Sequence, residues 1–228
     1  MDEWRSFLYP LGFLSSLAFG ARFIIQWLQS EKAHKIVVPR LFWQVSLLGN
    51  LLLLVHSFIQ VQFHICIVQS FNAVISWRNR NLMQTVKPPL SFQKVCALLI
   101  GSAIATSSAF LLQDWWLMRE LDWFRVPTAP WQSISAPSVS LFWHALGSIA
   151  FVLFSSRFWI QWWFAEKART SYFPSSFWWL SLVGALLSIV YFLRINDSVN
   201  LLGPLVGLVP YIRNLMLQSQ LQTRMDEK

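Results

Sequence analysis

Two short polar patterns in this chain are built from residue types that grip anions and sugars. Arg22 and Gln26 stand four residues apart, and Arg157 and Gln161 repeat the spacing. Four residues is about one helical turn, so on a helix each arginine shares a face with its glutamine. An arginine offers phosphate a planar fork of donors, and an amide both donates to and accepts from hydroxyls. The bland account is that both arginines stretch to the phosphates of bulk lipid. Lysine would do that equally well and glutamine takes no part in it, so a headgroup pocket is the sharper expectation. A second set lies further along: Asn72, Ser76 and Arg80 in a stripe that starts at Gln69, and Arg213 with Asn214 near the end. The alternative for the stripe is hydrogen-bonded glue between helices, worth about 1 kcal/mol or less per group.

The remaining polar residues read as structural. Glu31–Lys32 and Glu166–Lys167 fall at expected helix ends, where a lysine complements the negative terminus. Their glutamates are expected to gate the cytoplasmic mouth by salt bridges to Arg80, Arg213 or a lysine. Pro39 and Pro174 precede a helix, a place where proline loses no hydrogen bond and where a hinge could form. His56, Gln60 and His64 keep a four-residue spacing, but the corresponding Tyr191 and Ile195 do not, so no metal site is expected. No phosphate-binding glycine loop, nucleophile elbow, zinc spacing or close carboxylate pair is present. No catalytic residue and no cofactor is therefore assigned. Cys66 and Cys96 lie in apolar runs and read as free thiols.

Elements that hold such residues must suit the solvent, and the composition names it. Hydrophobic residues are 55% of 228, charged residues 12%, and there are 14 Trp and 19 Phe. Soluble proteins carry roughly 25% charged residues. The surroundings of most of this chain should be lipid. A core of about 30 Å needs about 20 apolar residues per crossing. Seven spans result, over 8–29, 41–61, 63–82, 93–113, 139–164, 176–195 and 198–217. Segment 114–138, with three prolines, reads as an exposed loop into which Trp115, Trp116 and Trp123 bring headgroup-seeking rings. Trp27, Trp43, Trp162 and Trp178 read as interfacial belts.

The net charge of +8 would point to nucleic acid in a soluble domain. Here it marks topology, and no nucleic-acid partner is expected. Arg5, Arg119, Arg125 and Arg194 fall on one side of the seven spans. Twelve Lys and Arg fall on the other, and Arg22 and Arg157 lie within spans, which accounts for all 18. Positive charge stays in the cytoplasm, so the N-terminus is expected outside and the C-terminus inside.

The chain also repeats itself. Arg22-Phe23 and Gln26-Trp27 match Arg157-Phe158 and Gln161-Trp162 at an offset of 135. Glu31-Lys32-Ala33, Pro39, Phe42-Trp43, Ser46-Leu47 and Gly49 continue the match at the same offset. Arg80-Asn81-Leu82-Met83 then answers Arg213-Asn214-Leu215-Met216 at an offset of 133, as if the second copy were two residues shorter in its hairpin turn. The expected fold is all-α integral membrane: seven transmembrane helices as two parallel three-helix bundles joined by a linker helix, the layout of SWEET-type carriers. The units are 1–85, 86–138 (linker helix and external loop) and 139–228.

The doubled pattern Arg-Phe-x-x-Gln-Trp, Glu-Lys, Pro-x-x-Phe-Trp-x-x-Ser-Leu-x-Gly and Arg-Asn-Leu resembles the lipid A biosynthesis N-terminal domain family. The likeness covers roughly 7–84 and 142–218, and extends to the PQ-loop and SWEET-like three-helix units. That family is the membrane segment preceding the glycosyltransferase of chlamydial-type lipid-A-disaccharide synthases. The 228 residues hold no such glycosyltransferase domain, so the chain is expected to be either free-standing or the membrane part of a longer synthase. The resemblance implies the bacterial inner membrane and a role in lipopolysaccharide synthesis, binding and translocating a lipid-linked sugar or lipid A precursor. A membrane anchor that docks a glycosyltransferase domain or protein is the alternative, and a SWEET-like small-solute carrier a further one. Under any of them the ligand contacts are expected from Arg22, Gln26, Arg157, Gln161, Asn72, Ser76, Arg80, Arg213 and Asn214.

Overall fold

A computed structural model of the chain describes residues 3–85, 88–117, 123 and 140–226. Among these lie eight helices: α1 (Glu3–Leu8), α2 (Leu11–Ala33), α3 (Arg40–Ile59), α4 (Phe63–Leu82), α5 (Phe92–Leu117), α6 (Leu141–Ala168), α7 (Ser175–Ile195) and α8 (Ser198–Asp226). By length and composition, five stretches can cross a bilayer: α1–α2 taken together, α3, α5, α6 and α7. Helices α4 and α8 are long enough but carry more polar residues. In α4 those residues are turned inward, with Asn72, Ser76, Arg78 and Asn79 all buried.

Helix ends follow from local chemistry. His34 and Arg169 stop α2 and α6 in the left-handed conformation. Pro39 and Pro174 stand at the N-caps of α3 and α7 in matching extended geometry, φ −72° and ψ 151° against φ −71° and ψ 161°. The tight corners α3–α4 and α7–α8 also match: Val61 and Asn196 both take positive φ, 60° and 56°. These two are 135 residues apart. The second copy is therefore not shortened in its hairpin turn, and the offset of 135 runs unbroken through the corner.

The helices do not pack as two separate triplets. Principal contacts run α2–α3–α4–α6–α7–α8 and back from α8 to α2. The first helix of each copy leans on the third helix of the other. Linker α5 packs chiefly on the flank of α4, with Phe92 stacked on Trp162 at 5.6 Å. It joins the copies without standing between them. One aromatic core serves both halves: Phe23, Phe42, Trp43, Phe158, Phe173, Phe177, Trp178 and Tyr211. Trp43 and Trp178 are fully buried in it and Trp162 nearly so, which corrects their reading as interfacial belts. The sequence pattern of an interfacial tryptophan and a core tryptophan near a helix end is the same, and packing alone separates them.

Segment 114–117 continues α5 as helix, with Trp115 and Trp116 exposed. Trp123 packs instead on Phe63 and Phe110, and its carbonyl accepts from the Phe63 N–H at 2.8 Å. The rest of the expected loop lies outside the described residues.

Candidate functional site

Two regions of the ring hold polar side chains. Call the end with the α2–α3 and α6–α7 loops the loop end, and the end with the tight turns the corner end. Near the loop end each seam between copies carries an amide pair. Gln26 Nε2 donates to Asn214 Oδ1 at 2.9 Å, and Asn214 Nδ2 returns the bond to Gln26 Oε1 at 3.0 Å. Across the other seam Gln161 Nε2 donates to Asn79 Oδ1 at 2.7 Å, and Asn79 Nδ2 donates to Gln161 Oε1 at 3.0 Å. Both glutamines are fully buried. Their bonding capacity goes to protein, and neither they nor Asn214 line the cavity described below.

An ion pair sits one turn further along each seam. Arg78 donates Nε and Nη2 to the two oxygens of Glu166, at 2.6 and 2.8 Å. Arg213 pairs with Glu31 in the same bidentate way, its Nη2 at 3.0 Å from Oε2. The indoles of Trp162 and Trp27 donate to the same carboxylates. Arg78 and Asn79 thus stand where Arg213 and Asn214 stand, 135 residues later. Arg80 does not: it is half-buried and takes no part in either pair. The repeated Arg-Asn-Leu-Met string drew the sequence match two residues too far. The unbroken offset, together with the need of Gln161 and Glu166 for partners, was the signal for Arg78 and Asn79. Lys32 and Lys167 are exposed, with the Lys167 ammonium 4.9 Å from the centre of the Trp163 ring.

Arg22 and Arg157 belong to a different region. They lie at mid-helix, each only 3% exposed, at the floor of a cavity of about 490 Å³. The cavity extends from them toward the corner end, where Gln62, His64, Asp197 and Asn200 line it. Toward the loop end the aromatic core closes it. The two guanidinium groups share two rings. Arg22 lies 4.8 Å from the centre of Phe23 and 5.0 Å from Phe158; Arg157 lies 5.7 and 4.9 Å from the same rings. Ring faces stabilise a desolvated cation but do not neutralise it. Among the described residues no carboxylate forms an ion pair with either arginine. Nη1 of Arg157 donates to the Tyr211 hydroxyl at 2.8 Å. Nε and Nη1 of Arg22 and Nε of Arg157 have no hydrogen-bond partner among the described residues. An orphaned buried donor costs about 1–3 kcal/mol, and more when charged. An anion in the hollow would offset both charges.

The cavity wall is polar on one side. Gln69 and Asn72 of α4 line it, and each has a carbonyl oxygen without a donor among the described residues. Asn50 Nδ2 donates to Ser76 Oγ at 3.0 Å just behind. The positions 135 residues on hold Pro204, Gly207, Ala185 and Tyr211, of which Pro204 and Tyr211 line the opposite wall. Of the expected ligand residues the structure gathers Arg22, Arg157 and Asn72 on the cavity, with Ser76 behind it. Gln26, Gln161, Arg213 and Asn214 go to the seams. Tyr211, at the floor, was not anticipated, because its counterpart is Ser76.

Comparison with known proteins bears on what such a hollow serves. Residues 11–83 and 146–216 match the Lipid A Biosynthesis N-terminal domain. A lipid-A-disaccharide synthase of Chlamydia pneumoniae is 40% identical over 210 residues, 92% of this chain and 33% of that protein. Those of Chlamydia muridarum and Chlamydia caviae are 37% and 35% identical, over 93% and 92% of this chain. The chain spans about a third of the length of these curated relatives. No solved structure gives a significant match.

Proposed function

Since the chain belongs to the Lipid A Biosynthesis N-terminal domain family, we propose that it is the membrane part of a lipid-A-disaccharide synthase system. In this reading it anchors a glycosyltransferase at the bacterial inner membrane and holds that enzyme's acylated, anionic sugar substrate. The carrying observation is the pair of unneutralised guanidinium groups at the cavity floor, beside the carbonyls of Gln69 and Asn72. Charge at the floor suits a phosphate, and amides on the wall suit sugar hydroxyls. The chain crosses the membrane seven times, with the N-terminus outside, as the distribution of Lys and Arg supports.

A second reading, translocation, is favoured by one observation. Helix α8 ends at the loop end, so a following domain would hang there, whereas the cavity extends toward the corner end. A headgroup could pass from one to the other only if the aromatic core and the amide pairs parted.

The test is binding and turnover together. Purified Arg157→Lys, which keeps the charge and loses the fork, should bind a lipid A precursor about tenfold more weakly than the parent chain, a loss of roughly 1.4 kcal/mol. Membranes lacking the chain should lose disaccharide formation by the partner glycosyltransferase. Unchanged binding and unchanged synthesis would defeat the reading. Transfer of a labelled precursor across vesicles holding this chain alone would put translocation ahead of anchoring.

A further inference from the structure

We infer that the cavity takes a phosphate monoester attached to a hydrocarbon chain, with one phosphate bridging Arg22 and Arg157 and the chain leaving sideways into lipid between α4 and α6. This deepens the reading above, and its first half rests on the geometry of the floor. Arg22 and Arg157 are equivalent residues of the two copies, and both sit within 6 Å of the rings of Phe23 and Phe158, themselves equivalents. Both side chains line the one cavity, and Nε and Nη1 of Arg22 and Nε of Arg157 are left without partners beside it. A single group with oxygens pointing both ways can satisfy both forks, and a phosphate dianion also offsets both charges. A carboxylate offers half the charge and a planar pair of oxygens. Tyr211 takes one donor of Arg157, so Arg22 is the cation with more donors left for the ligand.

The second half rests on the difference between the seams. Beside the cavity α2 and α8 are zipped shut: a Cβ added to Gly20 would meet Val206 Cγ1 at 3.0 Å. The position equivalent to Gly20 is Ser155 on α6, and it lines the cavity instead of closing on a neighbour. One turn toward the corner end Val152 also lines the cavity, and it is 62% exposed. A lining side chain so little covered by its neighbours marks an opening. Val68 of α4 stands on the other side of it, so the opening is walled by apolar groups. Toward the loop end Phe71 and Trp159 close the same seam, edge to face at 5.2 Å. The polar floor thus communicates with lipid through a short apolar slot, which suits a ligand that is anionic at one end and oily at the other.

The experiment uses the full chain in lipid nanodiscs with three probes: decyl phosphate, inorganic phosphate and decanol. Decyl phosphate is expected to bind at least about tenfold more tightly than either fragment, and both Arg22→Gln and Arg157→Gln should each weaken it about tenfold. Ser155→Trp should weaken decyl phosphate and leave inorganic phosphate unaffected. Inorganic phosphate binding as tightly as decyl phosphate would mean a free anion site and overturn the chain exit. Equal binding of decanol, or binding indifferent to both arginine variants, would overturn the phosphate. The three-probe comparison on the wild-type chain stands even where a variant misfolds. Decyl phosphate with a diazirine in its chain should label α4 and α6 around Val68 and Val152; labelling of α2 and α8 around Gly20 and Val206 would place the exit at the other seam. None of these readouts uses a glycosyltransferase, so the ligand class can stand if the pathway assignment fails, and the reverse.

Discussion

The two seams that close the helix ring are built from one motif and are not alike. In the α4–α6 seam Arg78 is fully buried and the Glu166 side chain is 7% exposed; in the α2–α8 seam the Arg213 and Glu31 side chains are 36% and 28% exposed. Arg78 also donates to Asn81 Oδ1 and to the Leu90 carbonyl, so the segment leading to α5 is tied to the pair. Among the described residues nothing equivalent covers Arg213, because the chain continues there as α8. The same four side chains therefore make a desolvated joint on one side and a water-accessible clasp on the other. The lesson is that an ion pair's worth is set by what covers it. A buried pair broken on one side leaves an uncompensated charge, and an exposed one leaves a solvated charge.

That contrast can be broken at graded cost. Arg78→Ala should have the largest effect, destabilising by about 3–5 kcal/mol because Glu166 is left buried and charged; unfolding midpoints in detergent measure it. Next comes a pair of glycines at one repeat position. A Cβ on Gly184 would strike the Phe154 backbone nitrogen at 2.8 Å, whereas on Gly49 it would strike the Phe19 ring at 2.7 Å. A ring edge can turn aside and a backbone cannot. Gly184→Ala should therefore cost about 1–3 kcal/mol, and Gly49→Ala less, with the reverse order refuting the argument. Gln161→Leu removes the partner of Asn79, but Asn79 retains the Ser171 hydroxyl at 2.8 Å. A loss of about 1 kcal/mol is expected. Smallest is Glu31→Gln, since water already reaches that pair; its melting shift should fall well below that of Arg78→Ala. Equal shifts would show that burial does not divide the seams.

Much of the helical layout is legible in the amino-acid string. Six of the seven expected spans begin and end within about four residues of a helix, whereas α8 runs nine residues past the expected 217, to Asp226, because its last turns are polar and carry no apolar signal. Pro39 and Pro174 mark helix starts for a local steric reason. The candidate site is less legible. Gln26 and Gln161 look from their spacing like companions of Arg22 and Arg157, since one helix face carries both. A helix face, however, passes through several layers of a bundle. One turn toward the loop end it meets Asn214 or Asn79, and at mid-helix it meets a hollow. Tyr211 is hidden for another reason: its counterpart, Ser76, has a different size, so the repeat could not predict it.

The amino-acid string by itself determined that the chain is doubled, helical and rich in long apolar runs, and that it carries two arginines within those runs. Those properties depend on composition, hydrophobic run length and self-similarity, all of which are local or additive. Only the tertiary structure decided which polar residue meets which. Gln26 pairs with a residue 188 positions away and Gln161 with one 82 away, and such partners are chosen by how the first helix of each copy crosses onto the third helix of the other. The same crossing set Arg22 and Arg157 apart from the carboxylates of the seams and put a hollow between them.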